Sequence, residues 1–81
     1  MKNSDEIIKM IDGTKRIAAP VTRKSNLYTD LGINSLSFIA LLLKIEEAYS
    51  ITFDISEMAA CIQVDRLIAL VEEKRKGAET L

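Results

Sequence analysis

Ser35 is the residue whose surroundings invite chemistry. It stands in "DLGINSLSF" (Asp30–Phe38), where a loop ending in Leu31-Gly32 leads into the apolar run "FIALLL". A hydroxyl at such a junction has two uses. It can accept a backbone N–H as part of a helix cap, a role that Asn-Ser pairs commonly fill. Exposed at a helix start, it can instead serve as a point of attachment. Other reactive side chains are sparse. Cys61 is the sole cysteine, so it has no internal disulfide partner and is expected in the core. The chain has no histidine, which removes the commonest general base and the commonest metal ligand. No set of cysteines or carboxylates has metal-binding spacing, so no catalytic and no metal-ligating residue is assigned. A self-contained enzyme is not expected.

Size and charge narrow the rest. Eighty-one residues with a 48% apolar share make one small folded domain, 1–81, of modest stability. Net charge is −1, from 11 basic and 12 acidic residues spread along the chain. Without a basic block, nucleic-acid binding is disfavoured. The run "FIALLL" is far too short to span a membrane, and the charged N-terminus lacks a signal-peptide core. The expectation is a cytoplasmic protein with no membrane and no nucleic-acid partner, and a monomer.

The elements that must position Ser35 follow from periodicity. Asn3 with Glu6 has the form of a capping box, and Ile7, Ile8 and Ile11 recur at helical spacing up to a stop at Gly13, with a possible weak resumption through Ile17. Residues 19–34 read as a long loop, anchored by Val21, Leu27, Tyr28 and Leu31; loops of that length in small domains are often functional. The second helix spans about Ser35 to Ser50. A short third helix follows "ITF", capped by Asp54 with Glu57 completing its box. The last runs from Val64 to Lys76, with Val64, Leu67, Ile68 and Val71 as its apolar stripe and Gly77 as its end. The fold class is all-α: a small four-helix bundle, three longer helices plus a short third, with a long loop between the first two.

The second helix has two apolar faces. At about 100° per residue, Phe38, Leu41, Leu42, Ile45 and Tyr49 gather on one side as a core face. Leu36, Ile39, Ala40 and Leu43 fall on other sides. Ser37, Lys44, Glu46, Glu47 and Ser50 are the polar interruptions, with the acidity confined to Glu46 and Glu47. An outer face this apolar is either covered by the long loop or offered to a partner. The second reading makes Leu36, Ile39, Ala40, Leu43 and Glu47 the partner face.

The segment "NLYTDLGINSLSFIALLLKIEEAYSITF" resembles an acyl carrier protein. That family's signature reads D-L-G-x-D-S-L, and Asp30, Leu31, Gly32, Ser35 and Leu36 match it. "KIEEAYSITF" is similar to the family's acidic pair, aromatic and short extended stretch before the third helix. The likeness is good from Leu27 through the last helix and loose over the first. It implies that Ser35 is esterified with 4′-phosphopantetheine from coenzyme A, in a site framed by Asp30, Leu31, Gly32, Asn34 and Leu36, and that the arm's thiol holds cargo as a thioester. The implied protein is a freestanding acyl or aminoacyl carrier in a fatty-acid, polyketide or nonribosomal-peptide-type pathway. Its implied partners are a phosphopantetheinyl transferase and the enzymes that load and condense the cargo. Asn34 departs from the signature's second Asp, which removes a charge beside the serine. The chain is also near neutral, where fatty-acid carriers are strongly acidic. Both departures leave room for an alternative, an unmodified helical adapter with a carrier-like fold.

Overall fold

Four helices form where the apolar spacing places them. In this computed structural model, residues 2–79 are described, with side chains for 4–76. The elements are α1 (Lys2–Thr14), α2 (Ser35–Tyr49), α3 (Ile55–Ala60) and α4 (Val64–Glu79). Among the described residues there is no strand, only one isolated antiparallel bridge between Asn26 and Gln63. The expected all-α four-helix architecture, with its short third helix and long first connection, is what the chain adopts.

The core joins Ile7 and Ile11 of α1, the five expected α2 positions from Phe38 to Tyr49, and Val64, Leu67, Ile68 and Val71 of α4. Its large side chains gain about 1.5–3 kcal/mol each from burial. Polar contacts tie the three long helices at one place. The Tyr49 hydroxyl donates to Glu6 Oε1 at 2.7 Å, and the Arg75 guanidinium lies 5.1 Å from the Tyr49 ring. Burial, reinforced by the Glu6 bond, pushes the Tyr49 phenol up to about 12.

Two helix ends differ from expectation. α1 starts at Lys2, so Asn3 lies inside the helix and is not its cap, while the Glu6 carboxylate reaches Tyr49. α1 also passes Gly13 to end at Thr14, with no resumption through Ile17. At the other end, α4 continues through Gly77 to Glu79. A glycine weakens a helix by about 1 kcal/mol relative to alanine, which is not enough to stop one. The Asp54 box is present in full: Glu57 N–H donates to Asp54 Oδ1 at 2.8 Å and Asp54 N–H to Glu57 Oε1 at 3.0 Å.

Between α2 and α3 the chain is extended, with Ile51 and Phe53 inward and Thr52 outward, a period-two alternation. Glu46 is not one of the outward acids of α2. It is half-buried, and its Oε2 accepts the Phe53 N–H at 2.7 Å. Cys61, just after α3, is buried as expected; burial pushes its thiol up to about 11, and the Sγ–H points at the Met58 carbonyl oxygen, 3.6 Å away.

Candidate functional site

The first turn of α2 divides two tasks between neighbouring residues. Asn34, in extended conformation (φ −84, ψ 171), is the N-cap: its Oδ1 accepts the Ser37 N–H at 2.8 Å, and its carbonyl accepts the Phe38 N–H at 2.8 Å. Ser35 is the first helical residue, and its side chain is exposed. With Asn34 serving as the cap, the Ser35 hydroxyl is not needed there. The N–H groups of Ser35 and Leu36 have no carbonyl one turn behind them in the helix, so they face forward at the positive end of the dipole.

The loop that delivers Ser35 is closely tied down. Asn26 Oδ1 accepts the N–H groups of Tyr28 and Thr29, both at 2.9 Å, and Asp30 Oδ2 returns a bond from the Asn26 N–H at 2.7 Å. Asp30 thus closes a reciprocal box within the loop. Leu31 is fully buried, and its carbonyl accepts from Arg16 and Ile17, which binds the exit of α1 to the site. Gly32 then turns the chain with φ 67, a left-handed conformation suited to glycine. A Cβ there would lie 2.8 Å from Ile17 Cγ1. Leu31 and Gly32 therefore serve the site by fixing the loop; neither presents a polar side chain toward Ser35.

A second set of bonds joins this loop to the α3–α4 junction. Leu27 N–H donates to the Ile62 carbonyl at 2.9 Å, Val64 N–H to Ser25 at 3.0 Å and Asp65 N–H to Arg23 at 2.8 Å. Ile33 is buried too. Neither Ile33 nor the bridge to Gln63 was anticipated. A single apolar residue in a polar loop carries no periodic signal, and the pairing links positions far apart in sequence.

Beside Ser35 opens a mostly apolar cleft of ≈ 300 Å³ between α2 and α3. Ser35, Phe38 and Ile39 line it from α2, Tyr28 from the loop, and Met58, Ala59 and Ile62 from α3 and its exit. Tyr28 and Phe38 meet edge to face there, with ring centroids 5.4 Å apart. The available signal for this cleft was the apolar surplus of α3, a six-residue helix with no buried residue.

The outer side of α2 is open to solvent, not covered by the loop. Leu36 is 78% exposed, Leu43 55% and Ile39 45%, with Ala40 and Glu47 exposed among them and Ile55 of α3 at 85%. With Glu46 turned inward, Lys44 and Glu47 are the charges on this side of α2, one of each sign. Among the described residues no group of His, Cys, Asp or Glu could hold a metal, and no helix is long and apolar enough to cross a membrane.

A family model described as a phosphopantetheine attachment site matches residues 7–71, from the middle of α1 into α4. No curated protein matches the chain.

Proposed function

Because the chain belongs to the phosphopantetheine attachment site family, we propose that it is an acyl carrier whose arm is attached at Ser35. The family holds 4′-phosphopantetheine covalently, and its carrier domains transport cargo without transforming it. The observation that carries the assignment to Ser35 is its exposed hydroxyl at the first position of α2, released from capping by Asn34. The residues present fit the group. Ser35 supplies the ester oxygen, and the forward-facing N–H groups of Ser35 and Leu36 favour a phosphodiester at that oxygen. Attachment at the Ser35 Oγ would take the phosphopantetheinyl group from coenzyme A, with the nucleotide as the leaving group. The serine proton would pass to a base that the transferase supplies. When bound, the arm supplies reach and a terminal thiol that holds cargo as a thioester.

The chain's own contribution is presentation. Leu31 and Gly32 hold the loop, Asn34 fixes the helix start, and the cleft beside Ser35 gives an attached chain an apolar place to fold back. That lining favours a hydrocarbon acyl group over a charged aminoacyl one. Carriers of this kind meet phosphopantetheinyl transferases and acyl-handling enzymes. For this chain, Leu36, Ile39, Ala40 and Leu43, with Glu47 at the edge, form the docking face. They recur at i, i+3, i+4 and i+7, the spacing of a helix laid into an apolar groove. The near-neutral surface suits partners of a dedicated pathway better than the basic enzymes that serve strongly acidic carriers.

Incubation with coenzyme A and a promiscuous phosphopantetheinyl transferase should add one arm by intact mass, and Ser35→Ala should abolish the gain. No gain with any transferase tried, or an equal gain in Ser35→Ala, overturns the assignment. Full partner affinity of the unmodified protein, undiminished in Ser35→Ala, would favour the adapter reading.

A further inference from the structure

α3 stands between two clefts. One is the cleft beside Ser35. The other, of ≈ 260 Å³, lies between α3 and α4, with Ala60 and Cys61 on one side and Ala69 and Leu70 on the other. None of the six α3 residues is fully buried, and Met58 alone of its apolar residues packs half-buried against the core, so packing fixes the position of the helix only weakly. Its N-terminus is fixed by the Asp54 box. Sideways, it is tied to α4 by one ion pair, in which Lys74 Nζ lies 2.8 Å from Glu57 Oε1, with both side chains largely withdrawn from solvent. The same ammonium lies 5.8 Å from the Phe53 ring, in the extended segment that leads into α3. Lys74 therefore grips both the helix and its approach.

We propose that Lys74 is a positioning residue for the cleft beside Ser35. Through Glu57 it sets how far α3 stands from α2, and so the length of acyl chain the cleft shelters. The α3–α4 cleft is the space into which α3 yields when a longer chain enters. This inference rests on the reading of Ser35 as the attachment point. Met58, Ala59 and Ile62 wall the first cleft, while Glu57, Ala60 and Cys61 border the second. A sideways step of α3 thus enlarges one at the expense of the other. Ala69 is exposed on the α4 side, so a larger residue there fills the second cleft without entering the core.

Two measurements test it. In unloaded protein, Lys74→Ala and Glu57→Gln should each speed amide exchange across 57–62 by about 10-fold, with the exchange of core amides in α1 unchanged. In protein loaded at Ser35 with saturated acyl chains of increasing length, the longest chain whose thioester resists hydrolysis should lengthen in Lys74→Ala. It should return to the wild-type length in Lys74→Arg and shorten in Ala69→Leu. Identical length limits in all four proteins overturn the proposal, as does unchanged exchange across 57–62 in both tether variants. Failure of Ser35 to load at all defeats the carrier reading instead, and the exchange measurement still decides whether Lys74 positions α3.

Discussion

At the scale of the residue, Asn34 and not Ser35 caps α2, which leaves the Ser35 hydroxyl exposed. An amide oxygen caps as well as a carboxylate, so losing the signature's negative charge leaves the helix start intact. Asn34→Ala should lower stability by about 1 kcal/mol in urea unfolding, while Asn34→Asp should match or slightly exceed the wild type through its charge at the dipole's positive end. Gly32→Ala should cost about 1–2 kcal/mol in the same assay, because the left-handed backbone there is strained for any Cβ. The neighbouring Ile17 side chain is partly exposed and can swing aside, so most of the loss comes from the backbone. The cap, the serine and the glycine were legible from local sequence because their roles depend on immediate neighbours. The partner of Asp30 was not: its bond to Asn26 exists only once the loop has folded into a turn.

At the scale of the element, α2 serves two surfaces. Its inner five residues were legible because a 3.6-residue period places them together whatever surrounds the helix. Whether the outer residues were covered depended on the path of the loop, which composition does not encode. They are open, and Glu46 leaves that side to bind Phe53. Leu36→Asp and Leu43→Asp should therefore leave helicity and melting nearly unchanged while slowing modification by the transferase. Loss of folding in either variant would place that residue in the core. With one Lys and one Glu on this side, the rate of modification should fall less between low and moderate ionic strength than for a strongly acidic carrier, as stopped reactions across a salt series would read. The ends of α1 and α4 depart from the sequence expectation because glycine and asparagine are permissive signals. Each marks where a helix can start or stop, not where it must.

At the scale of the whole molecule, the helices were legible but their fastening was not. The bonds of 23–27 to 62–65 join a loop to a helix junction across about half of the chain, and no local pattern announces them. The titratable groups are also placed so that stability is level in the middle of the pH range. The capping and ion-pair bonds of Asp54 and Glu57 hold both carboxyls below their ordinary values, the Asp54–Glu57 N–H bond and the Lys74 contact leading respectively. Their contribution is present above those ordinary values and lost as pH falls through the lowered ones. Cys61 and Tyr49 are raised from 9.0 to about 11 and from 10.0 to about 12, chiefly by burial. Their contribution is intact below pH 9 and lost as pH climbs toward 12. With no histidine to titrate between, Tm should be flat from about pH 5 to 9 and fall on both sides, with Tyr49→Phe blunting the upper end of the alkaline loss. The burial of Cys61 has a consequence for a protein that transports thioesters. A second thiol on the carrier could accept the cargo by intramolecular acyl transfer and strand it where no partner enzyme reaches. Buried beside the α3–α4 cleft and kept protonated at neutral pH, this sulfur is a poor nucleophile, so cargo held on an arm at Ser35 would not transfer to it.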